Sequence, residues 1–391
     1  MRKVLKGLGG LAAALLVASP VYAQGTVKIG LILPYSGQFA DTATQMDNAI
    51  KLYVKQHGDT VAGKKLEFIR KDTGGIAPDI AKRLAQELVV RDKVDILAGF
   101  VLTPNALAAS DVSAEAKKFM VIMKAATSII TTKSPYSART GVTIPQLEET
   151  FGTWAAKHGM KTAFTMVSDY GPGHDAEGGF QRGFKDAGGN LVGSVRFPVA
   201  NPDFSAFVQR AKDANADAIF VFVPGGVQPA ALAKTLAERG IDPKKTKVLG
   251  QGELTDPSAL KSMGDAGLGI ITVMHYDYNH QSAMNKAFTG AFEAAYKREP
   301  DVYAIGGYDG MHLIYEALKK TGGKADGDSL IAAAKGMKWE SPRGPISIDP
   351  QTRDIVQTVY IRRVEKVGGE LRNVEFDKIE NVKDPFKARM K

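Results

Sequence analysis

The chain of 391 residues carries a formal net charge of +9, is 44% hydrophobic and contains no cysteine. The lack of cysteine excludes disulfide bonds and cysteine-ligated metal sites. The basic residues are scattered in short pairs such as Lys64-Lys65 and Arg362-Arg363. Because they form no continuous stripe, we expect no nucleic-acid partner.

The first 23 residues have the pattern of a secretory signal peptide. Arg2, Lys3 and Lys6 precede an apolar run over residues 8–17, and Val21-Tyr22-Ala23 follows. The run is shorter than the roughly 20 residues that a membrane-spanning helix needs. No cysteine follows it, which excludes a lipid-anchored lipoprotein. We therefore expect cleavage near Ala23 and a protein that works in the periplasm.

The next part of the chain alternates between strand and helix patterns. Residues 27–33, 66–70, 94–97 and 119–123 predict strands, and apolar faces before Gly58 and over 80–90 and 107–116 predict helices. A second series follows Thr140, with helices at 147–157, 178–187, 204–214 and 229–239 and strands at 162–167, 191–197, 218–223 and 247–249. Strands separated by helical stretches indicate crossover connections and mostly parallel sheets.

The pattern changes after Gly269, where a strand at 270–274 precedes two long helices at 281–298 and 303–320 and a last strand at 356–364. These series predict an α/β fold of two Rossmann-like lobes, with mostly parallel sheets, joined by a hinge that the chain crosses more than once. We place lobe 1 at residues 24–139 plus about 276–345, and lobe 2 at 140–275 plus about 346–391.

Catalytic and metal-binding patterns are weak throughout the sequence. The six histidines have no metal-ligand spacing, and there is neither a nucleophile elbow nor a phosphate-binding loop of the Walker type. Asp169, Tyr170 and His174 form the only enzyme-like group, and a structural turn explains it more simply. We expect no catalytic residues, no metal and no cofactor.

Polar loops follow four of the predicted strands, at 100–105, 125–128, 168–171 and 250–253. The carboxyl ends of parallel strands are where ligands bind, because helix N-termini and free backbone N–H groups point there. Thr103 opens a helix in the first loop, and its hydroxyl would suit a carboxylate. The alternative is that Thr103 only caps that helix.

The order and spacing of several motifs resemble the periplasmic substrate-binding proteins of branched-chain-amino-acid-type ABC importers, the leucine-binding-protein-like type I group. The motifs are the opening strand and turn 27–37, Ala126-Thr127-Ser128, Asp169-Tyr170-Gly171, residues 264–269, Gly307-Tyr308-Asp309-Gly310 and residues 341–346. The resemblance implies a monomer that closes around a small solute and delivers it to a membrane permease. It also implies that Thr103, Ala126 and Thr127 hold the ligand carboxylate and that Tyr170 covers the ligand.

The departures from the resemblance concern the ligand's amine. Amino-acid binders of this type place an acidic residue where the direct alignment puts Gly252, with Glu253 one residue later; a slip of one residue would restore the pairing. Thr42 and Val227 stand where the family often has tyrosine. Phe100 and Leu102 in the first loop, with Tyr276 and Tyr278, are expected to add apolar and aromatic surface.

Loss of the amine partners with retention of the carboxylate loops favours a small apolar or aromatic carboxylate as ligand. An aliphatic amino acid is the alternative. A sensory receptor with the same fold remains open on the sequence alone, and an enzyme acting in the cleft is the least favoured class.

Overall fold

The computed structural model describes residues 25–390, so the expected signal peptide lies outside the described residues. Up to Arg139 the secondary structure contains each predicted strand and helix, together with short elements at 60–61, 130–133 and 137–139 that the sequence pattern did not predict. Its elements are β1 Thr26–Leu33, α1 Ala40–His57, β2 Thr60–Val61, β3 Lys64–Asp72, α2 Pro78–Val90, β4 Ile96–Gly99, α3 Thr103–Glu115, β5 Phe119–Ile122, α4 Ile130–Lys133 and β6 Ser137–Arg139. The six strands form one sheet in the order β2-β3-β1-β4-β5-β6, and only the short β2–β3 pair is antiparallel.

The second α/β series forms a second sheet. Its elements are α5 Ile144–Lys157, β7 Thr162–Ser168, α6 Gly171–Asp186, β8 Asn190–Phe197, α7 Ser205–Asp213, β9 Ala218–Phe222, α8 Gln228–Glu238, β10 Lys247–Gln251, α9 Pro257–Met263 and β11 Ile271–Met274. Strands β7 to β11 pair in parallel. The central strand β9 is buried along its whole length, as expected for a parallel strand covered on both faces.

The remaining chain completes both lobes with α10 Ala283–Tyr296, α11 Val302–Lys320, α12 Gly327–Ala334, β12 Lys338–Ser341, β13 Gly344–Ile348, β14 Ile355–Val367, β15 Glu370–Val382 and α13 Pro385–Ala388. Helix α11 packs on α1 of the first lobe. Strands β12 to β15 extend the second sheet to nine strands through antiparallel pairs. The hairpin β12–β13, which ends near the expected boundary at about 345, therefore continues the second sheet.

Gly307 explains part of the motif around Asp309. A Cβ atom at Gly307 would lie 2.5 Å from the backbone oxygen of Met46 on α1. Only glycine permits this close approach of the two helices. The motif thus fixes α11 against the first lobe and brings Tyr303, at its amino end, to the cleft.

Strand β15 was not predicted from the sequence. It follows β14 through the two-residue turn Gly368-Gly369, in which both residues have a positive φ. Two glycines between strand-like runs are a hairpin signal, so the sequence did contain the information. Within the part of the chain that the structure describes, no helix combines the length and apolarity that crossing a membrane requires.

Candidate ligand-binding site

The carboxyl ends of β4, β5, β7, β9 and β10 meet at a cavity between the two lobes. Its lining comes from the loops after these strands, from the first turn of α5 and from the start of α11: Phe39, Val101, Leu102, Thr103, Lys124, Ala126, Ile144, Tyr170, Pro172, Phe222, Val223, Pro224, Gly225, Gln251, Glu253 and Tyr303. The cavity volume is about 50 Å³. This is room for a few water molecules, so the lobes stand closed.

Five of the residues singled out in the sequence meet at this cavity: Leu102, Thr103, Ala126, Tyr170 and Glu253. Thr127 follows Ala126, is buried, and has a hydroxyl with no hydrogen-bond partner in residues 25–390. The topology brings these loops together because each follows a parallel strand.

Phe100, Gly252 and Tyr276 do not line the cavity. Phe100 has a left-handed backbone, with φ of 63°, and packs in the core of the first lobe. Tyr276 is buried and donates its hydroxyl to Asn285 Oδ1 at 3.0 Å. Gly252 accepts a hydrogen bond from Arg362 at 3.2 Å through its carbonyl. The sequence pattern does not show which way these side chains and backbone groups point. In the structure they contact the core or Arg362 instead of the cavity.

The end of the cavity beside α3 and the 125–128 loop is suited to a carboxylate. Helix α3 begins at Thr103, and the first N–H groups of a helix have no partner within the helix. The neighbouring loop is tied to the same position, because Ala125 N donates to Phe100 O at 2.8 Å. A ligand carboxylate there meets a hydroxyl and several backbone donors.

Arg139 holds the 125–128 loop in place. This fully buried guanidinium donates to the carbonyls of Ala125 and Thr127, each at 2.8 Å. It is also paired with Asp354 at 3.0 Å. With the carbonyls engaged, the loop can turn its N–H groups towards the cavity.

The sequence reasoning missed Lys124, which crosses the cavity to Glu253. Lys124 Nζ lies 2.5 Å from Glu253 Oε1, and both side chains are almost completely buried. The ammonium also lies 5.5 Å from the centre of the Tyr303 ring. A lysine next to a strand is usually exposed, so the residue type gave no signal. Only its position directly before the 125–128 loop did.

Two acceptor oxygens that belong to cavity-lining residues have no donor. Glu253 Oε2 and Gln251 Oε1 are buried and have no hydrogen-bond partner within residues 25–390. Burial, followed by the charge of Glu253, raises the pKa values of Tyr170 and Tyr303. Both phenols therefore keep their protons. The site offers uncompensated acceptors that a donor on a ligand would satisfy.

A second chamber of about 320 Å³ adjoins this cavity and shares Tyr303 with it. Thr42 and Val227 line the chamber, as do the carboxylates of Asp256 and Asp301. Burial raises the pKa of Asp301 to about 7. Burial and, after it, the charge of Asp301 raise the pKa of Asp256. Two carboxylates with raised pKa values thus share one chamber of the cleft.

The enzyme-like group of the sequence lies apart from the cavity, except for Tyr170. His174 Nε2 is 2.6 Å from Asp169 Oδ1, but both side chains are substantially exposed and neither lines the cavity. The described residues contain no group of three side chains placed to hold a metal ion.

Two α/β lobes that close over a cleft, with polar loops at the carboxyl ends of parallel strands, have the architecture of a solute-binding protein. The family model for periplasmic binding proteins matches residues 26–369, and the chain belongs to this family.

Several relatives are similar over nearly the whole chain. A solute-binding protein of an ABC transporter from Rhodopseudomonas palustris BisB5, solved in complex with 3,4-dihydroxybenzoic acid, is 57% identical with a TM-score of 0.89, covering 93% of this chain and 99% of that chain. A solute-binding protein from R. palustris HaA2, solved with p-hydroxybenzoic acid, is 41% identical with a TM-score of 0.90, covering 93% and 100%. The Leu/Ile/Val-binding protein homolog 6 of Brucella melitensis is 40% identical over 98% of this chain and 99% of its own length.

Proposed function

We propose that this protein is the extracytoplasmic solute-binding component of an ABC importer and that its ligand is a ring-hydroxylated benzoate. The observation that carries the proposal is the polarity of the cavity. Thr103 and the Ala126 loop offer donors for a carboxylate, whereas Glu253 Oε2 and Gln251 Oε1 offer acceptors without donors. An aromatic acid with a ring hydroxyl carries the complementary groups at separate positions.

Aromatic side chains complete the fit. Phe39, Tyr170, Phe222 and Tyr303 line the cavity, and ring contacts contribute about 0.5–1.5 kcal/mol per pair beyond area burial. The relatives solved with 3,4-dihydroxybenzoic acid and p-hydroxybenzoic acid support the same ligand class.

Ligand entry requires the lobes to separate. A cavity of about 50 Å³ is smaller than the engineered cavity of roughly 150 Å³ that holds benzene. Hinge opening around a fixed site is the usual solution in two-lobed binding proteins. We propose that closure presents the loaded protein to a membrane permease, that the protein acts as a monomer, and that it reaches the periplasm after cleavage near Ala23.

An aliphatic amino acid is the second candidate ligand, and the names of the Brucella relatives favour it. The paired state of Glu253 disfavours it, because the acid that would meet a ligand ammonium already holds Lys124. A sensory role would use the same ligand and cleft. For catalysis, the exposed Asp169–His174 pair offers no group in the cavity, and we propose that the bound acid is not converted.

Isothermal titration calorimetry on the purified full chain tests the ligand class. The panel is benzoate, 4-hydroxybenzoate, 3,4-dihydroxybenzoate, 4-hydroxycinnamate, leucine and valine. We expect the hydroxybenzoates to bind more tightly than benzoate, because they supply a hydroxyl donor to the buried acceptors and benzoate does not. Binding of leucine alone would overturn the proposal. Recovery of the acid in altered form after incubation would instead indicate an enzyme.

A further inference from the structure

The Lys124–Glu253 pair joins the two lobes inside the cavity. Lys124 follows β5 of the first lobe, and Glu253 lies in the short 3₁₀ turn Gly252–Thr255 after β10 of the second lobe. Their charged atoms are 2.5 Å apart, and their side chains are 5% and 7% exposed. The pair therefore forms only when the lobes are closed.

These two residues are the only charged side chains that line the cavity among the residues the structure describes. An α-amino acid entering this space brings an ammonium that must find an anion, since burial of an unpaired charge is costly. Among the described residues, Glu253 is the one acidic side chain that lines this cavity, and Lys124 occupies it. Asp256 and Asp301 line the adjoining chamber. The ligand ammonium would also face the like charge of Lys124.

An acid without an amine meets neither obstacle. Its carboxylate uses the donors of the Thr103 and Ala126 loops, and the ammonium of Lys124 adds a favourable positive charge within the same closed space. Glu253 keeps its second oxygen free as an acceptor. The internal ion pair thus suits an amine-free acid.

We propose that Lys124 takes the place of a ligand ammonium: by neutralising Glu253 inside the closed cleft, it makes the site select acids without an α-amine and reject amino acids. This inference rests on the proposed function, since it assumes that the cavity binds a carboxylate.

Lys124→Met tests the inference, because it removes the ammonium and keeps most of the apolar stem. Titration calorimetry would compare the Kd values for 4-hydroxybenzoate, leucine and 4-hydroxyphenylglycine. Truncating one partner of a buried charge pair commonly changes affinity by about 30-fold or more. We expect the affinity for 4-hydroxybenzoate to fall by about that factor and measurable binding of an amino acid to appear.

Lys71→Met is the matched control. Lys71 is also largely buried, at 15% exposure, and is ion-paired with Glu87 and Asp92 in the first lobe, but it does not line the cavity. This variant should keep the ligand preference of the wild-type protein.

Glu253→Gln is the second variant, and it keeps the inference testable if Lys124→Met does not fold. It leaves Lys124 as an unopposed cation, so amino acids should still be rejected and 4-hydroxybenzoate should bind within about tenfold of the wild-type Kd or more tightly. Gain of amino-acid binding by Glu253→Gln would overturn the inference. An unchanged preference in a folded Lys124→Met protein would do the same.

The two proposals fail in different ways. If the wild-type protein binds none of the aromatic acids, the proposed function is wrong. If the wild-type protein binds them but the preference does not depend on Lys124, only the role of the ion pair is wrong.

Discussion

Thr103 is the side chain on which the proposed carboxylate site most directly depends. It lines the cavity at the start of α3, where its hydroxyl and the helix N-terminus would contact the same ligand carboxylate. We expect Thr103→Val, which keeps the shape and removes the hydroxyl, to weaken 4-hydroxybenzoate binding by about tenfold or more, since a hydrogen bond to a charged group contributes about 1.5–3 kcal/mol. Titration calorimetry measures the loss.

Thr103→Ser is the matched control for this change. It keeps the hydroxyl and removes one methyl group, so its Kd should stay within a few-fold of the wild-type value. If Thr103→Val and Thr103→Ser bind equally well, the hydroxyl of Thr103 does not contact the ligand and the carboxylate lies elsewhere.

Single residues show where sequence reasoning succeeds and where it stops. Thr103 and Tyr170 were located because they follow parallel strands, and topology alone brings such loops to one edge. Tyr276 also follows a strand, yet its ring turns into the core and its hydroxyl pairs with Asn285. Side-chain direction in a loop depends on tertiary packing, which one sequence does not reveal.

At the scale of elements, a buried arginine ties α11 of the first lobe to β14 and to the segment between β6 and α5. Arg343 pairs with Asp309 of α11 at 2.9 Å and donates to the carbonyl of Thr140 at 2.5 Å and to Gln357 Oε1 at 2.9 Å. Arg343 and Asp309 are at most 1% exposed. Their pairing therefore holds a helix of the first lobe to β14 and to the segment between β6 and α5.

We expect Asp309→Asn to lower the free energy of unfolding by about 3–5 kcal/mol, because it leaves the charge of Arg343 buried without its counter-ion. Urea denaturation followed by circular dichroism measures the change. Asp265→Asn is the control, since Asp265 pairs with Lys366 but is 70% exposed, and exposed pairs contribute about 0–1 kcal/mol. Equal losses in the two variants would contradict a special role for the buried pair.

The alternating elements were predictable because hydrophobic periodicity is a local signal, and the longer helices and strands before Met274 follow it. The short elements β2, α4, β6 and α9 give too little periodicity to be predicted. The pairing of β14 with β11 is not local, unlike its hairpin pairing with β13 and β15. Strand β11 joins the parallel sheet to this antiparallel part through β14, and such long-range pairing depends on the whole lobe.

At the scale of the whole molecule, closure should be coupled to protons through Asp256 and Asp301. Asp256 follows β10 of the second lobe and Asp301 caps α11 of the first, and both line one chamber of the cleft. The charge of Asp41 raises the pKa of Asp301, and the charge of Arg298 lowers it. The charge of Glu253 raises the pKa of Asp256, and the charges of Arg362 and Lys124 lower it. Burial still dominates and raises the pKa of Asp301 to about 7 and that of Asp256 above its usual range.

The sign of the effect follows from the raised pKa values. If the open form exposes these carboxylates, their pKa values there lie near the ordinary 3.8, so the closed form binds protons more tightly. Below pH about 4 the carboxylates are protonated in both forms, so they do not oppose closure. As the pH rises to about 7, closure requires proton uptake and its free-energy cost increases. We expect the Kd for 4-hydroxybenzoate to increase between pH about 5.5 and about 7, by at most tenfold per pH unit for one coupled proton.

Titration calorimetry across this range, on the wild-type protein and on Asp301→Asn, isolates the contribution of Asp301. Asparagine can still cap α11 but carries no charge, so the variant should show a clearly weaker pH dependence. His275 is a second buried group, and burial lowers its pKa. Its contribution is common to both proteins and cancels in the comparison. Parallel pH profiles for the two proteins would show that closure does not depend on the charge of Asp301.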